Sequence, residues 1–250
     1  MASEPIVSER AGVRLLHFGS RWIQGAMRLQ RPWALELAYT RDMMAPLVLR
    51  PGAAWPRTVL VVGLGAASQL RFLWRHFPQA RFTAVEIDAR VIAVARQSFK
   101  LPADARVAIV VADALDAVPS LPTPFDWVLV DAFDARGRAG ALDGTPFYSA
   151  CRDRLAPGGM LSVNLLSRSR GVAPSVARLR AAFGTRVVLL PRCDSGNTVA
   201  IAWRDGGPPL HPADWPASAE TLKRATGLDL RAAIRGIDAA GAALATAELP

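Results

Sequence analysis

From residue 58 to residue 203 short apolar runs alternate with amphipathic stretches, and this regularity constrains the fold more than any other feature of the chain. Residues 58–62 form a β-branched run without polar interruption, as expected of a strand buried on both faces. Residues 69–76 continue as a helix. Residues 81–87 read as a second strand, followed by a helix over 89–99 with Val91, Val94, Ala95 and Ser98 at three-to-four spacing. Residues 107–111 and 127–130 give a third and a fourth strand. A helix over 147–155 is stopped by Pro157-Gly158-Gly159, and 160–165 is a fifth strand before a helix over 175–183. Residues 186–190 and 198–203 pair across the turn-rich stretch 193–197. Repeated βα units of this kind specify a doubly wound, mostly parallel α/β sheet of seven strands, the closing hairpin supplying one antiparallel strand.

The flanks differ. Residues 1–55 hold apolar stretches at 13–18 and 33–38, broken by Gly12, Gly19, Gly25 and Pro32, and read as a small β-rich N-terminal segment ending in the linker 51–56. Residues 56–205 form the α/β catalytic domain, and 206–250 a proline-rich stretch leading into a helical tail. With 250 residues, 51% of them hydrophobic, the chain has material for a substantial core and is not disordered. No run approaches ~18 consecutive apolar residues, so no membrane span is expected. The start Met1-Ala-Ser-Glu-Pro5 carries acid where a secretory leader needs a basic end, and the expected location is cytoplasmic. Cys151 and Cys193 lie far apart with no CxxC, so neither a disulfide framework nor a metal site is expected. The formal charge is +9, yet of 30 basic residues only Lys100 and Lys223 are lysine. The arginines are scattered without a run, so nucleic acid is not an expected partner.

Ligands of open α/β sheets sit beyond the carboxyl ends of the strands. After the first strand comes Gly63-Leu-Gly65-Ala-Ala-Ser68, a tight turn into a helix whose glycines let backbone approach a ligand. It lacks the third glycine of the dinucleotide fingerprint. After the second strand comes Glu86-Ile87-Asp88, about twenty residues on, where a carboxylate accepts both ribose hydroxyls; Asp88 caps the next helix. After the third comes Asp113-Ala114, placed for an adenine amino group and a ring nitrogen, and after the fourth Asp131-Ala-Phe-Asp134. Acids on three successive strand ends suit a sulfonium nucleoside better than the pyrophosphate of NAD. His17, His76 and His211 have no partner at metal or triad spacing and read as surface or packing residues. Cys151 reads as buried filler, and Trp22, Trp33 and Trp55 as interface packing in preference to an aromatic wall over a substrate.

These motifs resemble the spermidine synthase family of polyamine aminopropyltransferases, whose sheet is of the S-adenosylmethionine-dependent transferase type. Residues 59–65, 85–88, 111–113, 125–134 and 155–161 follow the family pattern in order and spacing, and Gln30 and Tyr39 stand nine apart as in its Gln…Tyr segment. The resemblance implies aminopropyl transfer. An amine nitrogen attacks the methylene next to the sulfonium of decarboxylated S-adenosylmethionine, and methylthioadenosine leaves. It implies Asp131 as the base, Asp134 on the distal ammonium of a putrescine-like diamine, and Gln30 and Tyr39 orienting the amine. Gly63, Gly65, Glu86, Ile87, Asp113 and Ala114 would hold the nucleoside, with no metal. A homodimer is also implied.

The chain departs from the family in three places. Ala66 stands where the first loop usually has an aspartate for the aminopropyl ammonium, Thr40 replaces the histidine of a Tyr-His pair, and Arg136 and Arg138 follow Asp134. A loop without acid suits a cofactor that keeps its carboxylate. Methyl transfer from intact S-adenosylmethionine to a small acceptor is therefore an alternative, and a non-catalytic nucleoside-binding relative a third.

Overall fold

The computed structural model describes residues 4–19, 22–52, 54–122, 124–134, 137–166, 171–205 and 211–237. Three short strands, β1 (Pro5–Arg10), β2 (Val13–Phe18) and β3 (Ile23–Arg28), form an antiparallel sheet in chain order. Helices α1 (Ala38–Asp42) and α2 (Pro46–Leu49) lead from it to the main sheet.

The main sheet contains β4 (Thr58–Val62), β5 (Arg81–Glu86), β6 (Val107–Val111), β7 (Phe125–Val130), β8 (Leu155–Leu166), β9 (Val187–Leu189) and β10 (Asn197–Trp203). Their spatial order is β6-β5-β4-β7-β8-β10-β9. β10 runs antiparallel to both its neighbours, β8 and β9, and the other described pairs of this sheet are parallel. The antiparallel strand of the closing hairpin thus lies inside the sheet, with β9 outside it. The chain reverses its direction of travel between β4 and β7, the switch point where such sheets open a crevice.

Alternation along β4 explains why its run is apolar throughout. Val59 and Val61 face one core with α3 (Ser68–His76) and α4 (Ala89–Ser98). Leu60 and Val62 face the other, with α5 (Ala114–Ser120), α6 (Thr145–Asp153) and α7 (Ala173–Phe183). Helices α8 (Trp215–Thr226) and α9 (Arg231–Arg235) join the first core through Trp215, Leu222 and Ile234. Ser218 Oγ of α8 also donates to the Val48 carbonyl at 3.0 Å. The described part of the C-terminal tail is therefore packed onto the sheet.

Two elements differ from the sequence reading. Helix α5 has only seven residues with Pro119 among them, and its start is set by the Asp113 carboxylate accepting from Leu115 N at 2.9 Å. Strand β8 begins at Leu155, five residues before the expected Met160. Phe125 pairs with Leu155, after which a register shift brings Trp127 opposite Met160. The Pro-Gly-Gly stretch is thus a bulge inside the strand, and its shape depends on glycine: a Cβ at Gly159 would stand 3.0 Å from the Phe125 carbonyl oxygen.

The segment after β3 is tied to the loop after β4 and the end of α4 by Arg71 of α3, whose side chain is fully buried. Its Nε donates to the Pro32 carbonyl at 2.8 Å, and Nη1 donates to the carbonyls of Phe99, at 2.8 Å, and Ala66. Burial lowers the guanidinium pKa to about 10, which leaves it charged at neutral pH. Among the described residues no helix is long and apolar enough to cross a membrane.

Candidate active site

A cavity of about 670 Å³ opens at the carboxyl ends of β4, β5, β6 and β7, within the range of small-molecule sites. Its far wall is the N-terminal sheet, through Phe18, Trp22, Ile23 and Gln24, and the segment after β7 closes one side.

One end is built from backbone. Gly63 has φ +84°, and a Cβ there would lie 2.4 Å from the carbonyl oxygen of Asp131, so only glycine lets the ends of β4 and β7 meet. Glu86 ends β5 with its side chain buried: Oε2 accepts from Leu64 N at 2.9 Å and Oε1 from Asp88 N at 3.0 Å. Each oxygen keeps a further lone pair for a ribose hydroxyl. Asp113 spends Oδ1 on capping α5, while its Oδ2 takes no hydrogen bond among the described residues. Ile87 and Leu115 also line the cavity and are 67% and 38% exposed, an apolar surface on which a base can lie.

The other end centres on Asp131, at the end of β7. Its Oδ2 accepts from Gln69 Nε2 at 2.9 Å and its Oδ1 from Asn164 Nδ2 at 2.8 Å. The Tyr39 hydroxyl lies nearby and favours the ionised form. Burial raises the Asp131 pKa, against the pull of Asn164, Gln69 and Tyr39 on the ionised form. Burial, with Asp131 close by, likewise pushes Tyr39 well above its ordinary value, so its proton stays in place to donate. The result is a carboxylate at a cavity wall, oriented by two amide donors with Tyr39 beside it, and more basic than one in water.

The chain is similar to several known proteins. Residues 36–165 match the spermine/spermidine synthase domain. The polyamine aminopropyltransferase of Neisseria meningitidis serogroup B is 32% identical over 234 residues, 93% of this chain and 88% of its own. That of Chromobacterium violaceum is 37% identical over 199 residues, 79% of this chain and 75% of its own. The chain belongs to the spermine/spermidine synthase family. In structure, a probable spermidine synthase from Corynebacterium glutamicum superposes with TM-score 0.72 at 20% identity, covering 90% of this chain and 91% of its own. Human methyltransferase-like protein 13, solved in complex with SAH, gives 0.68 at 25% identity, covering 76% and 93%.

Within this member of the spermine/spermidine synthase family the residues expected from sequence do not all meet. Gly63, Gly65, Glu86, Ile87, Asp113, Ala114, Tyr39, Asp131 and Asp134 line the cavity. Gln30 does not: β3 ends at Arg28, and a turn closed by Arg31 N on the Arg28 carbonyl at 3.2 Å holds Gln30 exposed. Gln24, on β3 itself, lines the cavity instead. Asp134 is reached by Arg138, whose Nε and Nη2 stand 2.9 and 2.8 Å from Oδ2. Arg136 lies outside the described residues.

Other positions have structural work. Ala66 is buried against β3, where a Cβ on Gly25 would approach the Ala66 Cβ to 2.4 Å. Thr40 is buried and donates to the Leu37 carbonyl at 2.6 Å. His17 pairs with Ser8 at 3.1 Å, His76 lies against Phe72, and His211 Nδ1 accepts from Ala213 N at 3.3 Å. Cys151 is in the core. Trp55 stacks on Trp127 at 5.5 Å and Trp33 leans on Trp74 at 6.1 Å, both within the protein. Trp22 instead lines the cavity and is 54% exposed. Sequence reading missed Gln69, Asn164, Ser195 and Asn197, all uncharged amides or hydroxyls in ordinary helix, strand or turn contexts that carry no motif.

Proposed function

We propose that this chain is a transferase acting on an S-adenosyl nucleoside, moving the aminopropyl group of decarboxylated S-adenosylmethionine to a putrescine-like diamine. The observation that carries the reading is Asp131: half-buried, raised in pKa, held by Gln69 and Asn164 with Tyr39 beside it, and open to the cavity. A base of that kind suits an amine that arrives protonated. The cradle fits the nucleoside, with Gly63 and Gly65 admitting it, Glu86 taking ribose hydroxyls, and Asp113 and the Ala114 backbone taking the base edge.

When bound, the sulfonium supplies an electrophilic methylene beside a good leaving group. Asp131 removes the ammonium proton, and the freed nitrogen lone pair forms the new C–N bond as the C–S bond breaks. Tyr39, beside the carboxylate, favours its ionised form. Asp134 receives the distal ammonium in competition with Arg138. Catalysis is then largely alignment and deprotonation, with no metal required. The polyamine aminopropyltransferases among the relatives support this assignment.

Ala66 favours a second reading. A neutral first loop, sealed beneath Gly25, offers no carboxylate to an aminopropyl ammonium, which suits intact S-adenosylmethionine and methyl transfer to a small amine. Calorimetry with S-adenosylmethionine, its decarboxylated form and methylthioadenosine decides between them. Tighter binding of the decarboxylated form supports aminopropyl transfer, tighter binding of the intact form supports methyl transfer, and no binding of any removes the enzyme reading.

A homodimer through the N-terminal sheet belongs to the same proposal, supported by Ile6 at 51% and Ile23 at 44% exposure; sedimentation checks it. A small acceptor is favoured over nucleic acid, because the described cavity lining carries four acids and a single arginine, Arg138.

A further inference from the structure

Behind Asp131 a line of polar side chains runs across β8 to the turn before β10. Asn164 donates from Nδ2 to Asp131 Oδ1 at 2.8 Å and accepts at Oδ1 from Asn197 Nδ2 at 2.8 Å. Asn197 accepts at Oδ1 from Ser195 Oγ at 2.7 Å, and Ser195 Oγ lies 3.0 Å from Cys193 Sγ. Every donor in the line from Ser195 onward points toward the carboxylate. Asn164 and Asn197 are 4% and 7% exposed, on strands whose other residues are almost all apolar. Burying two amides there costs desolvation that apolar neighbours would not, so sheet stability does not explain them.

We propose that Asn197 and Ser195 are positioning residues for Asp131, acting through Asn164. An amide side chain is nearly symmetrical in shape, and its two ends are interchangeable unless a partner selects one. If Asn164 turned over, its oxygen would face Asp131 and repel it. Asn197 prevents this by offering a donor to the Asn164 oxygen, and Ser195 in turn fixes the sense of Asn197. The hairpin between β9 and β10, which never reaches the nucleoside end, thereby sets the aim of the base. Among the described residues the titratable groups that bear on this corner are Tyr39 of α1, which lies beside Asp131, and Cys193, which bears on Tyr39.

This inference rests on Asp131 being the base, and its test separates the two. In the full-length protein, Asn197→Leu is expected to lower kcat about tenfold to a hundredfold with the nucleoside KM unchanged, as misaimed groups do. Added to Asn164→Ala it is expected to cost nothing further, since both act through one bond. Carboxyl ¹³C NMR of Asp131, which needs no turnover, is expected to show its titration moving to higher pH in Asn197→Leu and, less, in Ser195→Ala, because a donor to the ionised form is loosened. Ser195→Thr restores the hydroxyl and is expected to recover the native titration. If Asn197→Leu does not fold, the Ser195 pair carries the same test in an exposed turn. An unmoved titration, or losses that simply add, would overturn the proposal. A protein inactive toward every nucleoside but with the expected NMR shifts would refute the base and keep the positioning.

Discussion

The two ends of the cavity are made differently. At the proposed nucleoside end the lining comes from consecutive strand termini of one parallel stretch of sheet: the Gly63–Gly65 turn, Glu86, and Asp113 with Ala114. At the proposed acceptor end the lining comes from separate parts of the chain: Trp22 and Gln24 from the N-terminal segment, Tyr39 from α1, Asn164 from β8, Ser195 and Asn197 from the hairpin, with Gln69 of α3 holding Asp131 from behind the wall. The first is a property of the fold, since any doubly wound sheet presents strand ends to its switch point. The second is assembled by tertiary packing. Gly63 is where the ends touch, through its close approach to Asp131.

Substitutions can show whether the ends are separable. The largest effect is expected from Asp131→Asn, which should cut turnover by about 10²–10⁴-fold while leaving nucleoside affinity near that of the native protein. Rapid-mix assay and calorimetry on the same preparation check it, and a matching loss of affinity would mean the ends are not separate. Gly63→Ala breaks the junction: backbone overlap and a left-handed φ should cost about 2–4 kcal/mol in urea unfolding. Glu86→Ala should weaken nucleoside binding by about 1–3 kcal/mol without altering the pH dependence of turnover. Equal affinity in calorimetry would place the ribose elsewhere.

Asp42 offers a control outside the cavity. Burial, partly opposed by Arg41, raises its pKa from 3.8 to about 6. A raised folded-state pKa gives stability that is present below pH 3.8 and lost as pH rises through about 6. Asp42→Asn should therefore gain about 1 kcal/mol at pH 7.5 and nothing at pH 3.5, by denaturant unfolding, with the discount that partial exposure requires. The smallest effect is expected from Arg138→Gln: removing its exposed ion pair with Asp134, worth about 0.2–1 kcal/mol, should tighten a diamine's KM by a few fold at most and leave a monoamine's unchanged.

The same contrast explains what could be read from the sequence. The βα alternation fixes strand ends in register with chain order, so Gly63, Glu86 and Asp113 announce themselves by position alone. Asp131 is legible for the same reason. Gln30 misled because nine-residue spacing to Tyr39 says nothing about where a strand stops, and β3 stops two residues too early to bring it in. Gln24 sits in an unremarkable stretch of β3, and Asn164 and Asn197 are single amides on largely apolar strands; their meaning lies in a side-chain hydrogen bond between β8 and β10 that no spacing encodes. Helix α5 was hidden by its proline, and the early start of β8 by a Pro-Gly-Gly that resembles a terminator but forms a bulge.

The pH dependence of kcat/KM for amine transfer, in the native protein and in Asp131→Asn, tests the central claim most directly. The half-buried carboxylate should give an acid limb with its midpoint above the ordinary aspartate value of 3.8, and Asp131→Asn should abolish that limb along with turnover. An acid limb that persists in Asp131→Asn, with turnover close to that of the native protein, would contradict the account.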